Sequence, residues 1–449
     1  MSKLECDLLI EEAHVVSPDP QTGELKIEQT SVAVKENKIV AIGESRVLAK
    51  KKLSATGLHL LPGAIDTQVH FREPGFPEKE DLSSGTRAAV FGGVTSVFEM
   101  PNTKPPTLSA IDIADKLSRA KGRSWCNYAF YVGASPVNVT KLGELENLPG
   151  VCGVKMFMGS STGNLTIGDE NIISALKNGR RRMAIHAEDE TRLTERKPIV
   201  TNSPGNVALH PVWRDEQTAL LATQKILRYA KELNRKIHVL HVTTAEEVDL
   251  LSQNQDIATF EITPQHLTLY APDCYEQLGT LAQMNPPIRE KRHYEALWQA
   301  VRSGLVNVIG SDHAPHTLKE KSKTYPDSPS GMTGVQTLLP ILLHHVCENR
   351  LSLERAVQLT SMNPAKIFGI KNKGTIAVGQ DADLALVDLK ADKVITNDWI
   401  QSRCGWTPFN GMKVKAWVQA TLLSGHVVMR DGEIIGAPSG EPLQFSIDM

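Results

Sequence analysis

The sequence lacks most of the features that quickly mark a protein's class. Its six cysteines, Cys6, Cys126, Cys152, Cys274, Cys347 and Cys404, are scattered without a Cys-x-x-Cys pair. That pattern suits a reducing compartment and speaks against a thiolate zinc site. No uninterrupted apolar segment approaches a membrane span. Glu5, Asp7, Glu11 and Glu12 interrupt the apolar start of the chain, so no signal peptide is expected there. Neither sign of charge is in excess: Lys+Arg 49 against Asp+Glu 51 leaves a formal charge of -2. No pull toward nucleic acid or an anionic membrane follows from that balance. A cytoplasmic protein acting on a small molecule is the expectation. Linkers and low-complexity tracts are missing as well.

What is present changes texture twice along the 449 residues. Residues 1–58 read as short strands, Asp7 to Val16 and Lys26 to Gly43, with Glu36-Asn37 as a hairpin tip. Residues 371–449 have the same texture, with a Ser424-Gly425 turn. The two ends are expected to meet in one small β-sandwich domain. Between them, residues 59–370 alternate short β-branched runs with longer helical stretches, the pattern of βαβ units and a parallel sheet. Eight strand candidates begin at Ala64, Thr95, Asn127, Gly153, Met183, Ile237, Ala258 and Asn307. The fold class expected is α/β, a (β/α)8 TIM-type barrel. An open doubly wound sheet would also alternate, but no Gly-x-Gly-x-x-Gly follows the first strand.

Chemistry-bearing residues fall at the carboxyl ends of these strands, where a barrel carries function. In Ala64-Ile65-Asp66-Thr67-Gln68-Val69-His70-Phe71-Arg72, strand alternation points Asp66, Gln68, His70 and Arg72 to one side. The line stops at Glu73-Pro74-Gly75. His186, His241 and Asp312 end later strands. One histidine at a strand end is more often structural than a ligand, but three around one mouth with a carboxylate suit a divalent metal such as zinc with an open position. Such a metal lowers the pKa of bound water toward about 7 and polarises a carbonyl. Lys155, amid apolar neighbours on a buried strand, would be costly as an ammonium. It either snorkels or pairs with an acid, or is carboxylated to a carbamate bridging two metals.

Pro62-Gly63-Ala64-Ile65-Asp66-x-Gln68-x-His70-x-Arg72-Glu73-Pro74-Gly75, Glu99-Met100-Pro101-Asn102-Thr103, Ile185-His186-Ala187-Glu188, His241-Val242-Thr243, Met284-Asn285-Pro286-Pro287-Ile288-Arg289 and Ser311-Asp312-His313-Ala314-Pro315-His316 occur in this order. Together they resemble a class I dihydroorotase of the amidohydrolase superfamily. The resemblance implies one or two Zn2+ ions per chain. His70, N6-carboxylated Lys155 and Asp312 would hold one, and the same carbamate with His186 and His241 the other. It implies reversible cyclisation of N-carbamoyl-L-aspartate to L-dihydroorotate through attack of metal-bound hydroxide on the cyclic amide. Asp312 would take the proton and return it to the leaving nitrogen. Arg72 and Asn102 would bind the substrate carboxylate, with Asn285 and His316 on the ring and carboxylate. Taken alone, Arg72 reads as a salt bridge to Glu73 or another acid, and Asn102 as a turn residue. His266 is expected near the mouth, His210, His344 and His345 structural or exposed, and Lys319-Glu320-Lys321-Ser322-Lys323 a solvated surface.

Two departures stand against the resemblance. The family's first strand usually reads His-x-His, and Gln68 occupies the first position here, so the metal held by His70 should be weaker, absent or completed by water or the amide oxygen. The stretch Ser160-Ser161-Thr162-Gly163 stands where many class I members carry Asp-Asp. Two other functions remain open on sequence: a hydrolase of allantoin, hydantoin or dihydropyrimidine type, and a non-catalytic subunit supporting aspartate transcarbamoylase. A homodimer is the expected assembly.

Overall fold

The computed structural model describes residues 4–160 and 165–446, so Ser161 to Gly163 of that departing stretch lie outside the described residues. Eight parallel strands run as β1 (Ala64–Val69), β2 (Val94–Glu99), β3 (Asn127–Gly133), β4 (Val151–Phe157), β5 (Met183–His186), β6 (Ile237–Val239), β7 (Ala258–Ile262) and β8 (Val308–Ile309). Each coincides with a strand expected from the sequence, and successive strands are neighbours from β1 to β8. The ends of the series meet through the residues just beyond them. Val69 bridges His313 in parallel, and the His70 amide donates to the His313 carbonyl at 2.7 Å. The barrel therefore closes at its mouth, through the Asp312-His313 segment itself.

β8 is shorter than the expected Asn307 to Ser311. Past it, a Cβ on Gly310 would stand 2.8 Å from Glu261 Oε2, so the chain passes close to β7 as bare backbone. β1 also departs from strict alternation: Asp66 lies opposite Val97 and Val69 opposite Glu99, one extra residue on β1. This bulge re-aims side chains. Thr67 Oγ1 donates to the buried Glu261 at 2.8 Å while Gln68 serves the mouth.

Helices pack apolar faces on the barrel's outer wall and begin at side-chain caps. Asp81 caps Leu82–Phe91, Ser109 caps Ala110–Ala120 and Asp215 caps Glu216–Glu232, each accepting from a backbone N–H of the first turn. Val97, Val132, Ile185, Ile226 and Leu342 belong to the resulting continuous core.

Both chain ends contribute to one nine-stranded sheet. The long strand Leu4–Pro18 organises it, pairing with Val47–Ser54 along its first half and with His59–Pro62 near its end. Leu384–Asp388 joins from the carboxyl side, antiparallel to His59–Pro62. The expected tips at Glu36-Asn37 and Ser424-Gly425 both turn through left-handed backbone. Val15, Val34, Leu60, Leu384 and Leu422 form a core of this sheet's own. The final segment leaves the sheet and returns to the barrel: Leu443 and Phe445 pack with Phe98, Tyr131 and Phe368. The Phe98 and Phe445 rings are 5.8 Å apart.

Candidate active site

One cavity at the barrel mouth is lined by eight of the nine residues nominated from sequence: His70, Arg72, Asn102, Lys155, His186, His241, Asn285 and Asp312. His316, the ninth, stands behind Arg72, its Nε2 3.3 Å from Arg72 Nη2. Gln68, Phe157, Ala314, Ser330 and Gly331 complete the wall. Backbone strain concentrates here, since Arg72 (φ 63), His241 (φ 38) and Asp312 (φ 45) all hold left-handed conformations. Such outliers cost on the order of 1–3 kcal/mol each and persist where the surroundings enforce them.

The imidazoles are neutral and pre-oriented. Burial lowers the pKa of His70, His186 and His241. His70 Nδ1–H donates to Asn102 Oδ1 at 2.7 Å, leaving Nε2 3.4 Å from Asp312 Oδ1. His186 Nε2–H donates to Glu188 Oε2 at 2.9 Å, and its Nδ1 lies 3.1 Å from His241 Nε2. Adjacent ligand atoms of a tetrahedral zinc with bonds near 2.1 Å are separated by roughly 3.4 Å. Both separations suit a shared ion. Among the described residues no group of three or more His, Cys, Asp and Glu forms a metal site by itself. The set consists of two pairs, and Lys155 acts electrostatically on all four members.

Lys155 is 1% exposed, and its Nζ has no hydrogen-bond partner. It neither snorkels nor pairs with an acid; Nζ stands 4.6 Å over the Phe157 ring. Burial pulls its pKa down to about 7, against the pull of Asp312 and Glu261. Its neighbours across the sheet are Gly133 and Ala184, two of the smallest side chains. Burial likewise pushes Asp312 up to about 7, opposed first by Lys155. Gln68 donates to Asp312, while its own Oε1 is buried without a partner. The orphaned Lys155 Nζ and Gln68 Oε1, with two pairs of oriented ligand atoms, fit a cation-binding centre completed by a group on Lys155.

Arg72 is 3% exposed and makes no salt bridge among the described residues. Glu73 is taken by Arg123 at 2.8 Å, so that pairing does not hold Arg72. Arg72 Nε donates to the Pro315 carbonyl at 3.2 Å. A buried guanidinium thus faces the cavity without a carboxylate partner among the described residues.

Sequence reasoning missed several supports. Glu188, inside the Ile185-His186-Ala187-Glu188 motif, orients His186 and is clasped by buried Arg214, whose Nε donates to Glu188 Oε1 at 3.0 Å. The His-x-Glu spacing was the available signal. His210 is fully buried, and its Nε2–H reaches the Met284 carbonyl at 2.9 Å and Asn285 Oδ1 at 3.1 Å, which fixes the Asn285 amide. His266 lies near enough to the mouth to act on His241, bonds Thr263 and the Pro286 carbonyl, and does not line the cavity. The expected solvated run is also corrected: Lys321 is buried, and Glu320 pairs with Lys79 at 2.8 Å.

A sequence model of the Amidohydrolase family matches residues 59–428. Curated relatives include the dihydroorotase of Methanosarcina acetivorans, 35% identical over 434 residues and spanning 92% of each chain. The dihydroorotase of Pyrococcus abyssi is 35% identical over 419 residues, 92% of this chain and 94% of that one. Among solved structures, the L-hydantoinase (dihydropyrimidinase) from Arthrobacter aurescens superposes with a TM-score of 0.91 at 28% identity, covering 97% of this chain and 99% of that chain.

Proposed function

From the premise that the chain belongs to the amidohydrolase family and to its dihydroorotase branch, we propose that it catalyses the reversible cyclisation of N-carbamoyl-L-aspartate to L-dihydroorotate, a step of de novo pyrimidine (UMP) biosynthesis. The observation that carries this reading is Arg72, a buried guanidinium without a salt bridge among the described residues, facing the cavity lined by the candidate metal ligands. Dihydroorotate brings a carboxylate, which a guanidinium binds in bidentate fashion.

His70 and Asp312 would hold one zinc ion and His186 and His241 another, with N6-carboxylated Lys155 shared between them. A Lys155 pKa near 7 leaves much of the amine neutral and nucleophilic toward CO2, and the small side chains of Gly133 and Ala184 flank it. Bound zinc supplies an activated water and polarises the ring carbonyl. Arg72 takes the substrate carboxylate, while Asn102 and Asn285 orient the ring. His316 Nε2–H donates to the Ser330 carbonyl at 3.1 Å and so ties the 330–331 rim to the 312–316 turn behind Arg72. In the hydrolytic direction Asp312 accepts the proton of the attacking water and returns it to the leaving ring nitrogen.

The likeness to the L-hydantoinase favours a second reading, a hydrolase of cyclic ureides without the carboxylate. A buried guanidinium with no anion to receive it counts against that substrate class. The protein would act in the cytoplasm as a homodimer; the described residues contain no helix long and apolar enough to cross a membrane. Association with aspartate transcarbamoylase belongs to the same reading, and co-purification tests it.

The direct experiment reconstitutes the protein with zinc and bicarbonate and follows ring absorbance with L-dihydroorotate and with N-carbamoyl-L-aspartate. Turnover in both directions is expected. Folded, metal-loaded protein inert toward both would transfer the assignment to another ureide or to a non-catalytic supporting subunit.

A further inference from the structure

Lys321 has no role in the reaction as derived above, yet it is 1% exposed, at the end of the short helix Leu318–Lys321. It forms no salt bridge among the described residues. Its Nζ donates to three backbone carbonyls: Gln283 at 3.1 Å, Pro329 at 2.9 Å and Gly331 at 3.1 Å. An ammonium has three N–H donors and no acceptor, so these carbonyls use its capacity in full. Burial draws its pKa down to about 7, and the three oxygens oppose that by favouring the charged form.

Two chain segments meet on this ammonium. The Gly331 amide also donates to the Gln283 carbonyl at 2.9 Å, and Gln283 Nε2 reaches the Ser328 carbonyl at 2.9 Å and Ser330 Oγ at 3.0 Å. Ser328 Oγ returns a bond to Gln283 Oε1 at 2.8 Å. Ser330 and Gly331 line the reaction cavity, as does Asn285, two residues past Gln283. Gly331 (φ +143) packs so close to the 312–316 turn that a Cβ would stand 2.2 Å from the Ala314 carbonyl oxygen. The wall beside the 312–316 turn is thus irregular backbone, held by a buried cation. A buried charge without an anion is costly, and an apolar side chain of similar length would fill the same space without that cost. The geometry that the cation imposes is what the apolar substitute would lack.

We propose that Lys321 is a positioning residue, fixing segments 283–285 and 328–331 together so that Asn285, Ser330 and Gly331 present a rigid rim to the substrate. The proposal rests on the dihydroorotase reading for the identity of that substrate. Lys321 touches no reacting atom, so its loss acts on binding more than on chemistry.

The test combines kinetics with amide hydrogen exchange on the full chain, wild type and Lys321→Met. For L-dihydroorotate, KM is expected to rise about tenfold or more with kcat within about threefold, the signature of lost uniform binding. Exchange at residues 328–333 is expected to accelerate about tenfold or more while β5 is unchanged. Unchanged KM with unchanged exchange would overturn the proposal, as would equal acceleration throughout the barrel. Exchange reads the fixing whatever the substrate: a wild type inert toward L-dihydroorotate, with faster exchange only in the variant's rim, would sink the functional reading and leave the positioning role standing. If Lys321→Met does not fold, Lys321→Gln removes the charge and one donor. About threefold changes in KM and rim exchange are then expected, and no change in either overturns the role.

Discussion

Gln68 Nε2 donates to Asp312 Oδ1 at 2.9 Å. The amide thereby orients the carboxylate that, on the proposed function, would move the proton. Its partnerless Oε1 remains as a buried oxygen donor at the cavity. An altered centre, with the amide steering Asp312, accounts for both atoms.

Gln68→Ala removes the steering bond. We expect kcat to fall about tenfold, equivalent to about 1.4 kcal/mol, with KM little changed. Gln68→His supplies an imidazole, and zinc per chain measured by atomic absorption after exhaustive dialysis should rise. Wild-type kcat in Gln68→Ala would show that Asp312 is held in place by other contacts.

Glu188 joins His186 to Arg214 in a buried relay. Glu188→Gln should lower zinc affinity about 10–100-fold, as loss of a ligand's outer partner does. It also strands the Arg214 guanidinium, which is 2% exposed, at a cost of about 3–5 kcal/mol. Competition with a chelator and urea unfolding read the two effects separately. A variant equal to wild type in both would remove Glu188 from this role.

Asp215 caps Glu216–Glu232 and pairs with Arg192 and Arg196; burial raises its pKa, but these partners outweigh it and hold the carboxyl down at about 2. A carboxylate with a depressed pKa contributes stability that is complete above about pH 4 and is lost as pH falls through about 2. Asp215→Asn keeps a capping oxygen and loses the charge, so it should destabilise by about 1 kcal/mol at pH 7. The gap to wild type in urea midpoint should narrow as pH falls below 4. A gap independent of pH would point to packing instead of charge.

Phe445 reaches back from the carboxyl-terminal segment to Phe98 and the Arg181 guanidinium, 5.8 Å and 5.2 Å away. Phe445→Ala should cost about 3 kcal/mol, seen as a lower urea midpoint with kcat retained. Loss of kcat without loss of stability would tie this segment to the site instead.

The barrel was legible because parallel strands buried on both faces are rich in β-branched residues, as Thr95 to Val97, Ile237 to Val239 and Val308 to Ile309 are. The candidate ligands were legible for a related reason: strand ends carry the chemistry, so His70 and His186 announce themselves by falling there. The β1 bulge was hidden, since one extra residue leaves the local composition unchanged. Lys321 was hidden because a Lys-Glu-Lys-Ser-Lys run has the composition of a solvated loop, and only tertiary packing brings three carbonyls to its amine. The returning segment that carries Phe445 was hidden by distance, its partner Phe98 lying on β2.

Arg72 is, on the proposed function, the receiver of the substrate carboxylate. One measurement addresses this most directly: kcat/KM for L-dihydroorotate against dihydrouracil on the same zinc-loaded protein, in wild type and Arg72→Met. Wild type should prefer L-dihydroorotate by about 100-fold or more, near the 3 kcal/mol of a charge-assisted pair, and the preference should collapse in Arg72→Met. Equal or better turnover of dihydrouracil by wild type, or a preference that survives the substitution, would contradict it.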